Sequence, residues 1–122
     1  MKLINDLFEI VSAEQRDDSY QCQVKLNPEH CIYKAHFPGS PITPGVCLMQ
    51  MSEELLEDKY GKQLQLSTVK SIRFKKIVGP NDMPTFTFTK ELLSEGELCV
   101  EVTIADAEEE FVKMVLQYQV EA

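Results

Sequence analysis

His36-Phe37-Pro38-Gly39-Ser40-Pro41-Ile42-Thr43-Pro44-Gly45-Val46-Cys47-Leu48-Met49-Gln50 is the stretch from which the rest of this 122-residue chain is read. Three prolines and two glycines shape it into a stiff loop around one histidine. A helix then begins with Pro44 in its first turn, where the missing N–H costs nothing. The helical pattern runs from Gly45 to about Tyr60, with Gly61 placed to cap its end. Its first turns (Val46, Cys47, Leu48, Met49, Met51) are apolar nearly all round, and Glu53, Glu54, Glu57, Asp58 and Lys59 charge the second half. An all-round apolar start predicts a helix end buried in a core. Rigid loop, histidine and helix N-terminus together describe a site.

On either side the period changes to two. Phe8–Val11 reads as a first strand, and Tyr20, Cys22, Val24 and Leu26 alternate with Gln21, Gln23 and Lys25 until Asn27-Pro28-Glu29 breaks the run. A loop is expected from there to Pro44. After the helix, Val69 to Val78 is rich in β-branched and aromatic residues and stops at Gly79-Pro80-Asn81-Asp82. Phe86-Thr87-Phe88-Thr89 alternates, as do Leu98, Val100, Val102 and Ile104, and then Val112, Met114, Leu116, Tyr118 and Val120. Two strands, one long helix and four meandering strands predict an α+β layout, a curved antiparallel sheet wrapped on a helix.

Length fits a single domain over 1–122, small enough to gain from self-association. Hydrophobic content of 43% with 26% charged residues excludes a disordered chain. No signal peptide or membrane-length apolar span is visible, and Cys22, Cys31, Cys47 and Cys99 lack C-x-x-C spacing. Reduced, buried thiols and a cytoplasmic address are expected. A net charge of −8 argues against nucleic acid as partner. The positive charges are nevertheless concentrated at Lys70, Arg73, Lys75 and Lys76. His30, Cys31 and His36 match no zinc spacing, so no metal is expected. No nucleotide motif is present, and no cofactor is expected. Cys47 and the pair Met49 and Met51 read as core or pocket lining, the thiol buried and inert.

The order H-F-P-G-x-P-x-x-P-G-V, met here from His36 to Val46, resembles the signature of the 3-hydroxyacyl-acyl-carrier-protein dehydratases, which have the hotdog fold. Ile72-Arg73-Phe74-Lys75-Lys76-Ile77-Val78-Gly79-Pro80-Asn81-Asp82 looks like the R-F-K-x-x-V-x-P-G-D segment of the same enzymes. The resemblance runs from about Val24 to the C-terminus. It implies a sheet of about six strands around one long central helix. Departures are Ala35 before the histidine in place of a frequent glycine, Thr43 in place of methionine, and Ser52-Glu53-Glu54 in place of small and amide residues.

Dehydration of a 3-hydroxyacyl thioester to the trans-2-enoyl thioester removes a proton from C2 and protonates the hydroxyl leaving C3. The resemblance implies His36 as base and the Gly45 N–H, at the positive end of the helix dipole, as oxyanion donor. An imidazole with an ordinary pKa of about 6.5 suits proton abstraction near neutrality. Phe37, Pro38, Gly39, Pro44 and Val46 would line the substrate. Where the family has a carboxylic acid, fourteen residues after the histidine, this chain has Gln50. An amide has no proton to give, and a lost general acid costs about 10²–10⁴ in rate. Three readings stay open. The chain is a slower dehydratase, with His36 or a water held by Gln50 carrying both protons. Alternatively Glu53 or Glu54 replaces the acid, from about 5 Å further along the helix. Or the chain is a non-catalytic subunit that binds acyl chains or carrier protein, paired with an active homologue.

The resemblance also implies an acyl carrier protein bearing a 3-hydroxyacyl chain as partner, and a homodimer or an oligomer of dimers. A carrier protein presents an acidic face, which Lys70, Arg73, Lys75 and Lys76 could meet. The same cluster also reads as a solvated face protecting a strand edge.

Overall fold

The protein's structure, a computed structural model, describes residues 2–35, 39 and 41–121. Alternating sequence becomes strand throughout: β1 (Phe8–Arg16), β2 (Ser19–Leu26), then β3 (Leu64–Phe74), β4 (Thr85–Ser94), β5 (Glu97–Ala105) and β6 (Glu110–Val120). Between β2 and β3 lie a short helix, α1 (Ile32–Ala35), and the long helix α2 (Gly45–Tyr60). The six strands form one antiparallel sheet in the order β1-β2-β4-β5-β6-β3. This is the α+β hotdog arrangement expected from the sequence.

Register explains the core. Tyr20 pairs with Phe88, Phe88 with Val102, Val102 with Met114 and Met114 with Ile72, a row of side chains across five strands. A second row runs Cys22, Phe86, Ile104, Val112, Phe74. Because side chains alternate faces, every member of both rows lies on the face that receives α2. The helix answers with Leu48, Met51, Ser52, Leu55 and Leu56, all buried and spaced for one face.

Both ends of α2 are fixed. Gly61 closes it with φ 64°, its N–H donating to the Glu57 carbonyl, a left-handed cap that suits glycine. Beside it, Lys59 Nζ donates to both Glu91 oxygens at 2.8 and 2.9 Å, and the Tyr60 hydroxyl donates to Glu91 as well. Glu91 sits in a register shift of β4, where Lys90 takes φ 53°. Midway, the carboxylate of Glu54 accepts from the Leu3 and Ile4 N–H groups, which docks the N-terminal segment onto the helix.

Several expectations need correction. α1 interrupts what reads as loop, and β3 occupies Leu64–Phe74 rather than Val69–Val78, because a turn at Lys75 and Lys76 donates their N–H groups to the Phe111 carbonyl. β1 extends five residues beyond Val11 by pairing with β2 as far as Arg16. Pro44 is the N-cap, with extended ψ of 148°, so Gly45 is the first helical residue. The first turn is buried on one side only: Leu48 enters the core, whereas Val46 is 70% exposed and Cys47 and Met49 are half-buried. Of the four free cysteines only Cys22 is buried, and Cys31 is exposed.

The Tyr118 hydroxyl is buried, with no hydrogen-bond partner among the described residues, and burial raises its pKa far above the ordinary value. Removing an unpaired buried hydroxyl relieves a desolvation cost. Tyr118→Phe is therefore expected to unfold at the same or higher denaturant concentration than the native protein. Leu55→Ala, at a fully buried position of α2, should lose about 2–5 kcal/mol in the same titration.

Candidate functional site

The segment singled out by the sequence is held at both of its described ends. α1 carries Tyr33, 4% exposed, whose hydroxyl meets Thr43 Oγ1 at 2.8 Å, and Thr43 is itself 5% exposed. The Thr43 N–H donates to the Val78 carbonyl, tying the same point to the segment after β3. His36, Phe37, Pro38 and Ser40 lie outside the described residues, and Gly39 is exposed. Thr43, which the sequence marks only as a departure from the family pattern, is thus the polar anchor of the loop. A buried tyrosine ten residues upstream was the available signal.

At the helix start, Pro44 offers no side-chain cap. The N–H groups of the first turn therefore rely on something other than their N-cap residue. A Cβ at Gly45 would stand 2.8 Å from Cζ of Phe74, so a larger residue there would push the exposed ring aside. This glycine lets the β3 ring lie against the helix backbone. The two border an apolar cavity of about 360 Å³, whose lining includes Ile42, Thr43, Leu48, Ile77, Val78 and Val112. Val46 projects to solvent from the same turn. Burial pushes the Cys47 thiol pKa up, which keeps it protonated and unreactive.

Gln50 is half-buried on α2, and its Nε2 donates to Glu54 Oε2 at 3.0 Å. Glu54 is 4% exposed and already accepts from two backbone N–H groups, so its oxygens are engaged as acceptors. Glu53 accepts from the Leu66 N–H, and burial raises its carboxyl pKa, with Glu57 adding to the shift. Both glutamates thus hold backbone in place, Glu54 at the N-terminal segment and Glu53 at β3. His30, one of the three residues weighed as metal ligands, is spent locally: Nδ1 accepts from the Ile32 N–H and Nε2 faces Asp6 Oδ2 at 3.2 Å.

The basic cluster divides. Lys75 pairs with Glu110 and holds its carboxyl below the usual range, while Glu109 hydrogen-bonds Lys76 and raises its pKa. Lys70 and Arg73 are exposed and make no ion pair among the described residues.

The loop anchors, the start of α2 at Gly45 and the cavity beside Phe74 fall inside a region that matches a known family. The model of the ApeI-like family, ApeI dehydratase, matches residues 12–114. The chain belongs to the ApeI-like dehydratase family. It is 27% identical over 120 residues to the 3-hydroxyacyl-[acyl-carrier-protein] dehydratase FabZ of Lactobacillus helveticus, covering 87% of this chain and 81% of that one. Among solved structures it resembles the dehydratase heterocomplex ApeI:P from Xenorhabdus doucetiae, with TM-score 0.71 and 15% identity over 90% of this chain and 96% of that one. A hypothetical thioesterase with coenzyme A from Streptococcus pneumoniae TIGR4 superposes with TM-score 0.65 and 16% identity, covering 94% and 89%. The solved structures establish the hotdog fold of this ApeI-like chain.

If the Tyr33–Thr43 hydrogen bond sets the loop, removing either partner should leave the other buried and unpaired. Tyr33→Phe and Thr43→Val should each cost about 1–3 kcal/mol. The double variant should cost less than their sum, as a double-mutant cycle in urea would show.

Proposed function

We propose that this ApeI-like chain dehydrates a 3-hydroxyacyl thioester carried by an acyl carrier protein, in fatty acid or polyketide-like synthesis in the cytoplasm. What carries the reading is the start of α2: a helix N-terminus whose N-cap, Pro44, supplies no side-chain hydrogen bond, opening at Gly45 onto an apolar cavity. Such a terminus favours the negative charge that develops on a thioester oxygen when C2 loses its proton. His36 is the base. The C2–H bond breaks, its electron pair forms the C2–C3 double bond, and the C3–O bond breaks as His36 returns the proton it has taken to the departing hydroxyl, which leaves as water. Phe37, Pro38, Gly39, Pro44 and Val46 would form the mouth through which the acyl chain enters. Relatives bearing the FabZ name support the substrate class. Glu53 and Glu54 are not the replacement acid in this reading, since both are committed to backbone N–H groups.

A second copy would complete the site. Val69, Ile72 and Phe74 extend the core rows onto β3 yet are 40%, 36% and 57% exposed, and Val46 and Ile77 stand beside them at 70% and 61%. β3 is an end strand, so its outer edge has no strand beside it. Sheets joined edge to edge along β3 would cover this apolar margin and set His36 of one subunit across from Gln50 of the other. The second reading, a binding subunit paired with an active homologue, is favoured by the engagement of Gln50 with Glu54.

Dehydration of a 3-hydroxyacyl pantetheine thioester, followed by enoyl absorbance, should be measurable for the native chain and fall by about 10² or more in His36→Asn. A chain that binds the thioester but turns over only when mixed with a homologue would give the second reading. Sedimentation should show a dimer at micromolar concentration. A Lys70→Glu/Arg73→Glu variant should lose carrier-protein affinity and most of its salt dependence, whereas Lys75→Glu/Lys76→Glu should change less, because Glu110 and Glu109 already offset those charges.

A further inference from the structure

We propose that Glu54 is a positioning residue for Gln50: it holds the amide with Nε2 inward, so that position 50 meets the substrate's C3 oxygen as a hydrogen-bond acceptor. Oε1 of Glu54 accepts from Leu3 N–H at 3.0 Å and Ile4 N–H at 2.8 Å, and Oε2 accepts from Leu3 N–H at 2.8 Å and Gln50 Nε2 at 3.0 Å. Every group hydrogen-bonded to this carboxylate in that set is a donor. Turning the Gln50 amide over would bring Oε1 against Glu54 Oε2, two acceptors in a part-buried place, so Glu54 favours one orientation. The end of the amide turned away from Glu54 is therefore Oε1. A 3-hydroxyl can donate to that oxygen, and a 3-oxo group cannot.

This rests on the dehydratase reading for its ligand and for the side of Gln50 that the ligand meets, whereas the Glu54–Gln50 contact stands without it. It specifies the ligand further, as a thioester with a hydrogen-bond donor at C3. It also gives position 50 the task of binding and orienting the hydroxyl rather than of supplying a proton.

Glu54→Gln tests the orientation directly. Oε1 of the new glutamine keeps the Leu3 and Ile4 N–H groups, at 3.0 and 2.8 Å, so its NH₂ group takes the place of Oε2, gives up the second Leu3 contact and faces Gln50. The Gln50 amide then turns over and presents Nε2, a donor, to the substrate. Binding is measured in the His36→Asn background, which stops turnover, with 3-hydroxyhexanoyl and 3-oxohexanoyl pantetheine thioesters. The parent should prefer the hydroxy form, and Glu54→Gln should reduce that preference by about tenfold or reverse it. A merely structural role for Glu54 would weaken both ligands equally, and an unchanged ratio overturns the proposal.

A second arm needs no ligand. Gln50→Glu puts two carboxylates about 3 Å apart, where both cannot ionise without cost. Their folded-state pKa rises above the unfolded value, so stability present at low pH is lost as pH rises through the raised value. Other charges about this place are Lys2 on the N-terminal segment, Glu53, Glu57 and Asp58 on α2, and Lys62 beyond it. They are the same in every variant and cancel in the comparison. The melting temperature of Gln50→Glu should fall relative to the native protein by about 5 °C or more between pH 5 and pH 8. Adding Glu54→Gln should restore it. A Gln50→Glu variant with the native pH profile, or one not rescued by the exchange, overturns the proposal. Binding of neither thioester by the parent, with the exchange still rescuing stability, would sink the dehydratase reading and leave the positioning intact.

Discussion

The Glu54 carboxylate lies 4% exposed in the middle of α2, and a buried charge is tolerated only where donors replace its hydration. Those donors come from two directions, the Leu3 and Ile4 N–H groups and the Gln50 amide. The N-terminal segment, the centre of the core helix and the candidate site therefore share one acceptor. Leu3, Leu7 and Phe8 are buried around that junction, so the polar contact is sealed by apolar packing. Removing the carboxylate would strand two backbone N–H groups; removing the amide would leave one oxygen short of a donor. Stability and site geometry are coupled at this point.

The remaining constraint is the incomplete closure of the sheet. Strands β2, β4, β5 and β6 present buried rows to α2, and the rows continue onto β3, where Val69, Ile72 and Phe74 emerge into solvent. The helix covers the first part of β3 through Glu57 and Glu53, which accept from the Leu64 and Leu66 N–H groups. It does not cover the rest. The same uncovered margin carries Gly45, Val46 and the cavity beside Phe74. Site and apolar margin coincide because both lie where the helix begins and the last strand ends.

Much of the fold was legible because period-two alternation and the Gly45–Tyr60 helical run are strong local signals. Leu98, Val100, Val102 and Ile104 are all buried as their spacing requires, and Gly61 caps the helix. The misreadings share a cause. The solvent-facing part of β1 shows no alternation beyond Val11, and β3 begins with Leu64 and Leu66 but ends where backbone pairing with Phe111 takes over. Tertiary pairing set those ends, which local pattern does not carry. Within the candidate site, the helix start at Gly45 was legible from the motif. The burial of Glu54 was not, since a glutamate in the charged half of an amphipathic helix reads as solvent-facing until the N-terminal segment is seen to fold over it.

Charge shows the same dependence on folding. A run of Lys70, Arg73, Lys75 and Lys76 looks like one positive patch in a chain of net charge −8. Folding brings Glu109 and Glu110, at the start of β6, against Lys75 and Lys76, so half of the run is offset from within. The pairs form because the backbone turn after β3 already binds the Phe111 carbonyl, which fixes both lysines opposite the neighbouring glutamates. Exposed pairs of this kind add little stability. Their larger consequence is to confine uncompensated positive charge to Lys70 and Arg73 on β3, the same strand that carries the open apolar margin. A partner approaching that strand therefore meets apolar surface and positive charge together, a combination the linear sequence spreads over a longer and more uniform-looking run.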